Sequence, residues 1–220
     1  MPQSYVRALD LPQVIPVFPL EGAILLPRGQ LPLNIFEPRY LNMVDDAMAG
    51  DRVIGMIQTR AGGERARPNL ASVGCLGRIT SFAETSDGRY LITLTGICRF
   101  VAGEELSART PYRQLRVAYG DFEADLSPED EGPPEMDRER FARALKRYLN
   151  RRELDVDDET AMTAPIAPLV TSLAMGLPFE PSEKQALLEA LTLTERVRSL
   201  TALLEIDALE DDDGAPHSVQ

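Results

Sequence analysis

Histidine and lysine are almost missing from this 220-residue chain. It has one histidine, His217, two lysines, Lys146 and Lys184, and no tryptophan. Ser-His and Cys-His nucleophile pairs and most zinc sites need a rigidly held imidazole. His217 sits in an acidic stretch that reads as a disordered tail, so neither chemistry is expected. A Ser-Lys dyad needs a lysine that loses its proton through burial or cationic neighbours. Lys184 falls in the first turn of a helix and Lys146 on an arginine-rich helix face, so both read as solvated. Cysteine is scarce too. Cys75 and Cys98 lie in apolar, strand-like surroundings and read as buried free thiols, which fits a cytoplasmic setting. No GxxxxGK(S/T) phosphate loop occurs, and Gly62-Gly63 is only a glycine pair. Neither cofactor nor metal is expected. No apolar run reaches the ~18 residues of a membrane span. No basic segment followed by an apolar stretch opens the chain, so it reads as lacking a secretory signal.

Acidic residues, by contrast, are abundant and unevenly spread. Residues 1–118 carry 13 basic and 11 acidic side chains, whereas residues 119–220 carry 10 and 24. The net charge of −12 therefore belongs to the second half. It opposes nonspecific binding to phosphate backbones. The adjacent carboxylates Asp45-Asp46, Glu104-Glu105 and Asp157-Asp158-Glu159 read as solvated turns and helix starts. Glycosidase-like use would need a groove with aromatic platforms. Arg60, Arg65 and Arg67, beside the glycine pair, read as a solvated loop.

The organisation changes midway. Val14–Val17, Val53–Ile57, Gly74–Phe82, Tyr90–Gly96, Ile97–Val101 and Tyr112–Tyr119 read as strands. Asp87-Gly88 marks a hairpin turn. Pro16 and Pro19 suggest an edge or a bend in the first strand. One helix interrupts this half, from Pro38 to Ala49, stopped by Gly50. After a linker over 121–134 the period becomes helical. Phe141, Leu145, Tyr148 and Leu149 form one stripe, and a second helix spans Ile166–Ala174. Ser182-x-x-Gln185 and Thr192-x-x-Glu195 read as capping boxes of two more. The expected class is α+β, with strands and helices segregated. The β-rich part covers 12–120, a helical bundle 135–209 and an acidic tail 210–220.

Ile35-Phe36-Glu37-Pro38-Arg39-Tyr40 is the most site-like stretch. Pro38 suits a first helical position. Phe36 and Tyr40 can staple the helix to the sheet, with Arg39 paired to a carboxylate. Alternatively, Phe36, Arg39 and Tyr40 line a groove that accepts apolar peptide side chains.

These residues resemble the Lon protease N-terminal domain family. The likeness rests on Pro16-Val17-Phe18-Pro19-Leu20, Leu26-Pro27-x-Gly29, Leu31-Pro32-Leu33, Ile35 to Tyr40, Val73 to Ile79 and Thr95 to Phe100. Glu183-Lys184-Gln185, Leu187-Leu188-Glu189 and Glu195-Arg196-Val197 extend it through the helices. The resemblance implies a PUA-like β-barrel followed by a helical bundle. It also implies a part that handles substrates ahead of an ATPase and a Ser-Lys protease. With the chain ending at Gln220, the expectation is a non-catalytic protein- or peptide-binding module, acting as an adaptor or regulator in proteolysis or quality control. Its partners would be unfolded or exposed apolar protein segments, or one specific protein. PUA-like barrels that bind RNA supply the alternative, against which the charge argues; an unrecognised enzyme is a third reading.

Overall fold

The first strand is short and proline-rich, yet it is paired on both sides. In the computed structural model, which describes residues 5–64, 67–127, 135–152 and 163–209, β1 (Val14–Pro19) divides its partners along its length. Val14–Val17 pair antiparallel with β6 (Arg113–Ala118), and Val17–Pro19 pair parallel with β3 (Val53–Glu64). Pro16 lies where only β6 is a ladder partner and Pro19 where only β3 is. Each missing N–H therefore falls on a locally open side.

The remaining strands are β2 (Gln30–Ile35), β4 (Arg67–Glu84) and β5 (Tyr90–Glu105). β4 and β5 form the hairpin expected around Asp87-Gly88, with Gly88 at φ +77°. β6 pairs with both β1 and β5, so β1, β3, β4, β5 and β6 close into a barrel. β2 adds to the first half of β5. Long strands must bend to close a ring, and β4 does so at register shifts near Gly77 and Thr80.

Glycines make room inside. Phe100 is fully buried, and a Cβ on Gly55 or Gly74 would lie 3.1 Å or 2.5 Å from its ring. At Gly96 the backbone itself is in the way: a Cβ there would sit 2.0 Å from the Leu26 carbonyl oxygen. The loop carrying Ile24, Leu25 and Leu26, all buried, docks on Gly96 through Arg28 N–H to Gly96 O at 2.8 Å and Gly96 N–H to Gly29 O at 2.9 Å.

Helix α1 (Pro38–Ala49) runs as expected, with Pro38 in its first turn. It buries Tyr40, Met43, Val44 and Ala47, and Gly50 closes it. Tyr112, just before β6, donates its hydroxyl to Asp46 Oδ2 at 2.6 Å and anchors the helix.

The chain divides into two compact units. The first comprises residues 1–130 and Met175–Glu189, and so includes α4 (Pro181–Glu189) with the barrel. Gly120–Leu126, read in the sequence as the start of a linker, is a 3-10 helix that buries Phe122. The second unit comprises Glu131–Ala174 and Ala190–Gln220. There α2 (Arg138–Arg151) buries Phe141, Ala144, Leu145, Tyr148 and Leu149. Helix α3 (Ile166–Gly176) begins in this unit, and α5 (Leu193–Leu209) completes it. The Thr192/Glu195 capping box forms as expected: Glu195 N–H reaches Thr192 Oγ1 at 3.1 Å and Thr192 N–H reaches Glu195 Oε2 at 3.3 Å. The other expected box is shifted. Glu183, not Gln185, closes the start of α4, accepting from Glu180 N–H at 2.8 Å. Arg65, Asp157-Asp158-Glu159, residues 128–134 and the acidic tail with His217 lie outside the described residues.

Two measurements check this packing. Gly96→Ala should cost about 3 kcal/mol, read as a lower denaturant midpoint, because a backbone carbonyl cannot rotate away as a side chain can. Burial, and then the Asp46 hydrogen bond, pushes the Tyr112 hydroxyl from 10.0 up to about 12. The fold therefore favours the protonated phenol. That contribution is full below pH 10 and is lost as pH rises through about 12. Tyr112→Phe should flatten that part of the alkaline stability profile.

Candidate functional site

Both cysteine thiols are withdrawn from solvent. Cys75 and Cys98 are free and fully buried. Burial pushes the Cys98 thiol up to about 12 and Cys75 well above its ordinary value. Lys184 corrects the solvated reading. It is 7% exposed, its Nζ donates to the Met175 carbonyl at 3.2 Å, and burial lowers its pKa. Lys146 is exposed, as read. Among the described residues no group of three His, Cys, Asp or Glu side chains is placed to hold a metal.

The Phe36, Arg39 and Tyr40 stretch divides between core and surface. Tyr40 is 6% exposed, and its ring packs 4.3 Å from that of Phe18. Arg39 lies over the same ring at 4.5 Å and is held there by Glu37 Oε2, 2.9 Å from both Nε and Nη2. Phe36, the last residue before the helix cap, is 62% exposed, with the Arg89 guanidinium 5.9 Å from its ring. Arg39 and Tyr40 thus form one stack, and Phe36 stands out from the sheet.

Phe36 has exposed apolar company. Leu91 is opposite both Asn34 on β2 and Ala83 on β4. Phe82 is opposite Ile92, and its ring meets that of Tyr90 at 5.0 Å. Leu91 and Phe82 are 45% and 40% exposed. Consecutive strand residues face opposite ways, so Phe82 lies on the side of buried Ile92, whereas Leu91 lies on the side of Asn34 and of Arg89, which reaches Phe36. Phe36 and Leu91, large apolar side chains left in water, mark a contact surface. The sequence signal was Leu91, shortly after the Asp87-Gly88 turn, which a strand reading absorbs as ordinary alternation.

Two buried polar side chains hold the two ends of α4. Arg99, on β5, donates from its backbone N–H and Nε to Asp125 Oδ2, both at 2.9 Å, and from Nη2 to Oδ1 at 2.8 Å. Its Nη1 reaches the Leu188 carbonyl at 3.1 Å, and its guanidinium lies 4.4 Å over the Phe122 ring. Gln58, on β3 and 2% exposed, accepts from Gly22 N–H at 3.0 Å and donates to Pro181 O at 2.9 Å and Gln185 Oε1 at 3.0 Å. Gln185 in turn donates to the Val73 carbonyl at 3.0 Å and Glu189 Oε1 at 2.7 Å. A cleft of about 610 Å³ opens beside this bridge, between α4 and the β3–β4 hairpin.

Comparison with known proteins bears on these surfaces. The family described as ATP-dependent protease La (LON) substrate-binding domain matches residues 14–205. Lon protease 2 of Myxococcus xanthus is 27% identical over 217 residues, covering 92% of this chain and 25% of the relative. Lon protease of Roseiflexus castenholzii is 29% identical over 201 residues, covering 89% and 24%. The chain thus spans about a quarter of the length of these relatives. Among solved structures, a Lon N-terminal domain protein from Xanthomonas campestris superposes with a TM-score of 0.59 at 24% identity, covering 86% of this chain and 97% of that one. The N-terminal domain of a Mycobacterium avium complex Lon protease gives 0.57 at 18%, covering 87% and 98%. These structural likenesses speak to the fold.

Asp125→Ala would leave the Arg99 charge buried without its carboxylate. The expected loss of stability is about 3–5 kcal/mol, measured by denaturant unfolding.

Proposed function

Because the chain belongs to the family of ATP-dependent protease La (LON) substrate-binding domains, we propose that it binds exposed apolar segments of other proteins, without nucleotide and without cutting them. In this reading it serves proteolysis or protein quality control in the cytoplasm as an adaptor or regulator. The supporting observation is the pair of exposed apolar side chains, Phe36 and Leu91, at one end of β2 and β5. Phe36 is its foremost contact, and Leu91 extends it. Arg39 sits at its margin, and Tyr40 supports Arg39 from the core. Main-chain flexibility is low where a helix cap follows a paired strand, so Phe36 is presented with little ordering cost. The charges favour a polypeptide over RNA. Arg67 pairs with Glu105 at 3.0 Å, Arg78 lies 5.2 Å over the Tyr5 ring, and the chain carries a net −12. No described helix is long and apolar enough to cross a membrane.

The test is fluorescence anisotropy of a labelled, permanently unfolded polypeptide titrated with the chain in the absence of nucleotide. Saturable binding is expected, absent with the same polypeptide folded. Phe36→Ala combined with Leu91→Ala should weaken it about tenfold or more. Undiminished affinity in that double variant, with its melting transition intact, overturns the assignment of this surface.

A further inference from the structure

β1 leaves β3 early. Their ladder ends at Pro19 and Ile57, and Leu20 N–H to Ile57 O at 3.0 Å is its last bond. The chain then turns at Glu21-Gly22, with Gly22 at φ +72°. The Gln58 amide captures Gly22 N–H and holds that turn aside. Beyond this point β3 pairs with β4 alone among the described residues. Antiparallel partners alternate between hydrogen-bonded and non-hydrogen-bonded pairs. Of the consecutive pairs Thr59–Leu70 and Arg60–Asn69, one therefore turns a backbone N–H and C=O outward. The carbonyl of Ala61 is already taken by Asn69 Nδ2 at 3.3 Å.

This open edge borders the cleft. Thr59, Arg60 and Ala61 line one wall, Ser72 the floor, and Ser182 and Ala186 of α4 the facing wall. Its volume, about 610 Å³, falls in the range of ligand sites, roughly 300–1,000 Å³. Apart from Arg60, these walls carry small side chains, so another backbone can approach closely. The charged groups at the margin, Arg60 with Glu21 and Glu189, are of mixed sign and select no ion. A neutral main chain suits them.

We propose that this cleft takes an extended polypeptide segment, which adds as a short strand to the β3 edge at Thr59–Ala61 and is recognised by its main chain. The segment continues the place that β1 vacates. The cleft shares no lining residue with the Phe36 surface and does not depend on it. It reads backbone, whereas that surface reads apolar side chains.

N-methylation separates the two. The probe is an acetylated, amidated five-residue peptide of alternating valine and threonine, titrated into the full chain and followed by amide chemical shifts. Two derivatives carry N-methyl groups on the odd or on the even residues. Strand addition requires one derivative to bind about tenfold more weakly and the other about as well as the parent, because alternate N–H groups face the edge. Ala186→Trp and Ser72→Trp, at exposed positions on the α4 wall and the floor, should each weaken the parent peptide about tenfold with melting unchanged, and Phe36→Ala should leave it unaltered. Equal binding of both N-methyl derivatives, no binding of the parent at millimolar concentration, or indifference to both tryptophans overturns the proposal. None of these outcomes touches capture of unfolded protein at Phe36.

Discussion

A buried guanidinium must be neutralised and hydrogen-bonded or it unfolds its surroundings, and Arg99 imposes that demand on the barrel unit. Removing such a charge from water costs several kcal/mol, recovered only when geometry is complete. Here it is. Asp125 takes the Nε and one Nη in a forked pair, Leu188 O takes the other Nη, and Phe122 covers the face. Three distant segments are thereby required in one place: β5, the 3-10 helix after β6, and α4. The Leu188 carbonyl is among the last of α4 and has no partner within the helix. It also lies at the negative end of the helix dipole, where a cation is favoured.

Gln58 repeats the device with a neutral amide at the other end of the same helix. Its Nε2 takes the Pro181 carbonyl at the start of α4, while its Oε1 holds the Glu21-Gly22 turn. Helix α4 is nine residues long, too short to persist alone in water. Buried side chains from the sheet grip it at both ends. The same grip holds one wall of the cleft and displaces β1 from the β3 edge, so a stabilising contact also shapes a surface open to ligand.

The two candidate surfaces differ in physical kind. At the Phe36 end, the groups left in water are apolar side chains, Phe36 and Leu91. At the cleft, the available resource is unpaired backbone on the β3 edge. A module whose partners share exposure rather than sequence has use for both, since unfolded segments offer apolar side chains and free main-chain groups together.

Much of the fold was legible. The helix from Pro38 to Gly50, the Asp87-Gly88 hairpin, the α2 stripe and the Thr192/Glu195 box follow from local rules, because caps, turns and periodicity act within a few residues. Family membership was legible too, from motifs spread along most of the chain. The site was less so. Phe36, Arg39 and Tyr40 are neighbours in sequence, but one is solvated and one is core. Leu91 joins Phe36 only through strand register, which sends Phe82 to the other face. Lys184 reads as a surface lysine until burial shows otherwise. The amino-acid sequence by itself placed most of the strands and helices and showed that histidine chemistry is all but unavailable, but it passed over β2 and read Arg60 and Arg67 as loop where β3 and β4 run on. Only the tertiary structure decided that α4 joins the barrel, that Arg99 is enclosed, and which backbone edge stays open. Those outcomes depend on contacts between residues roughly 30 to 130 apart in the chain, whose pairing is set by burial and hydrogen-bond completion and not by any local pattern.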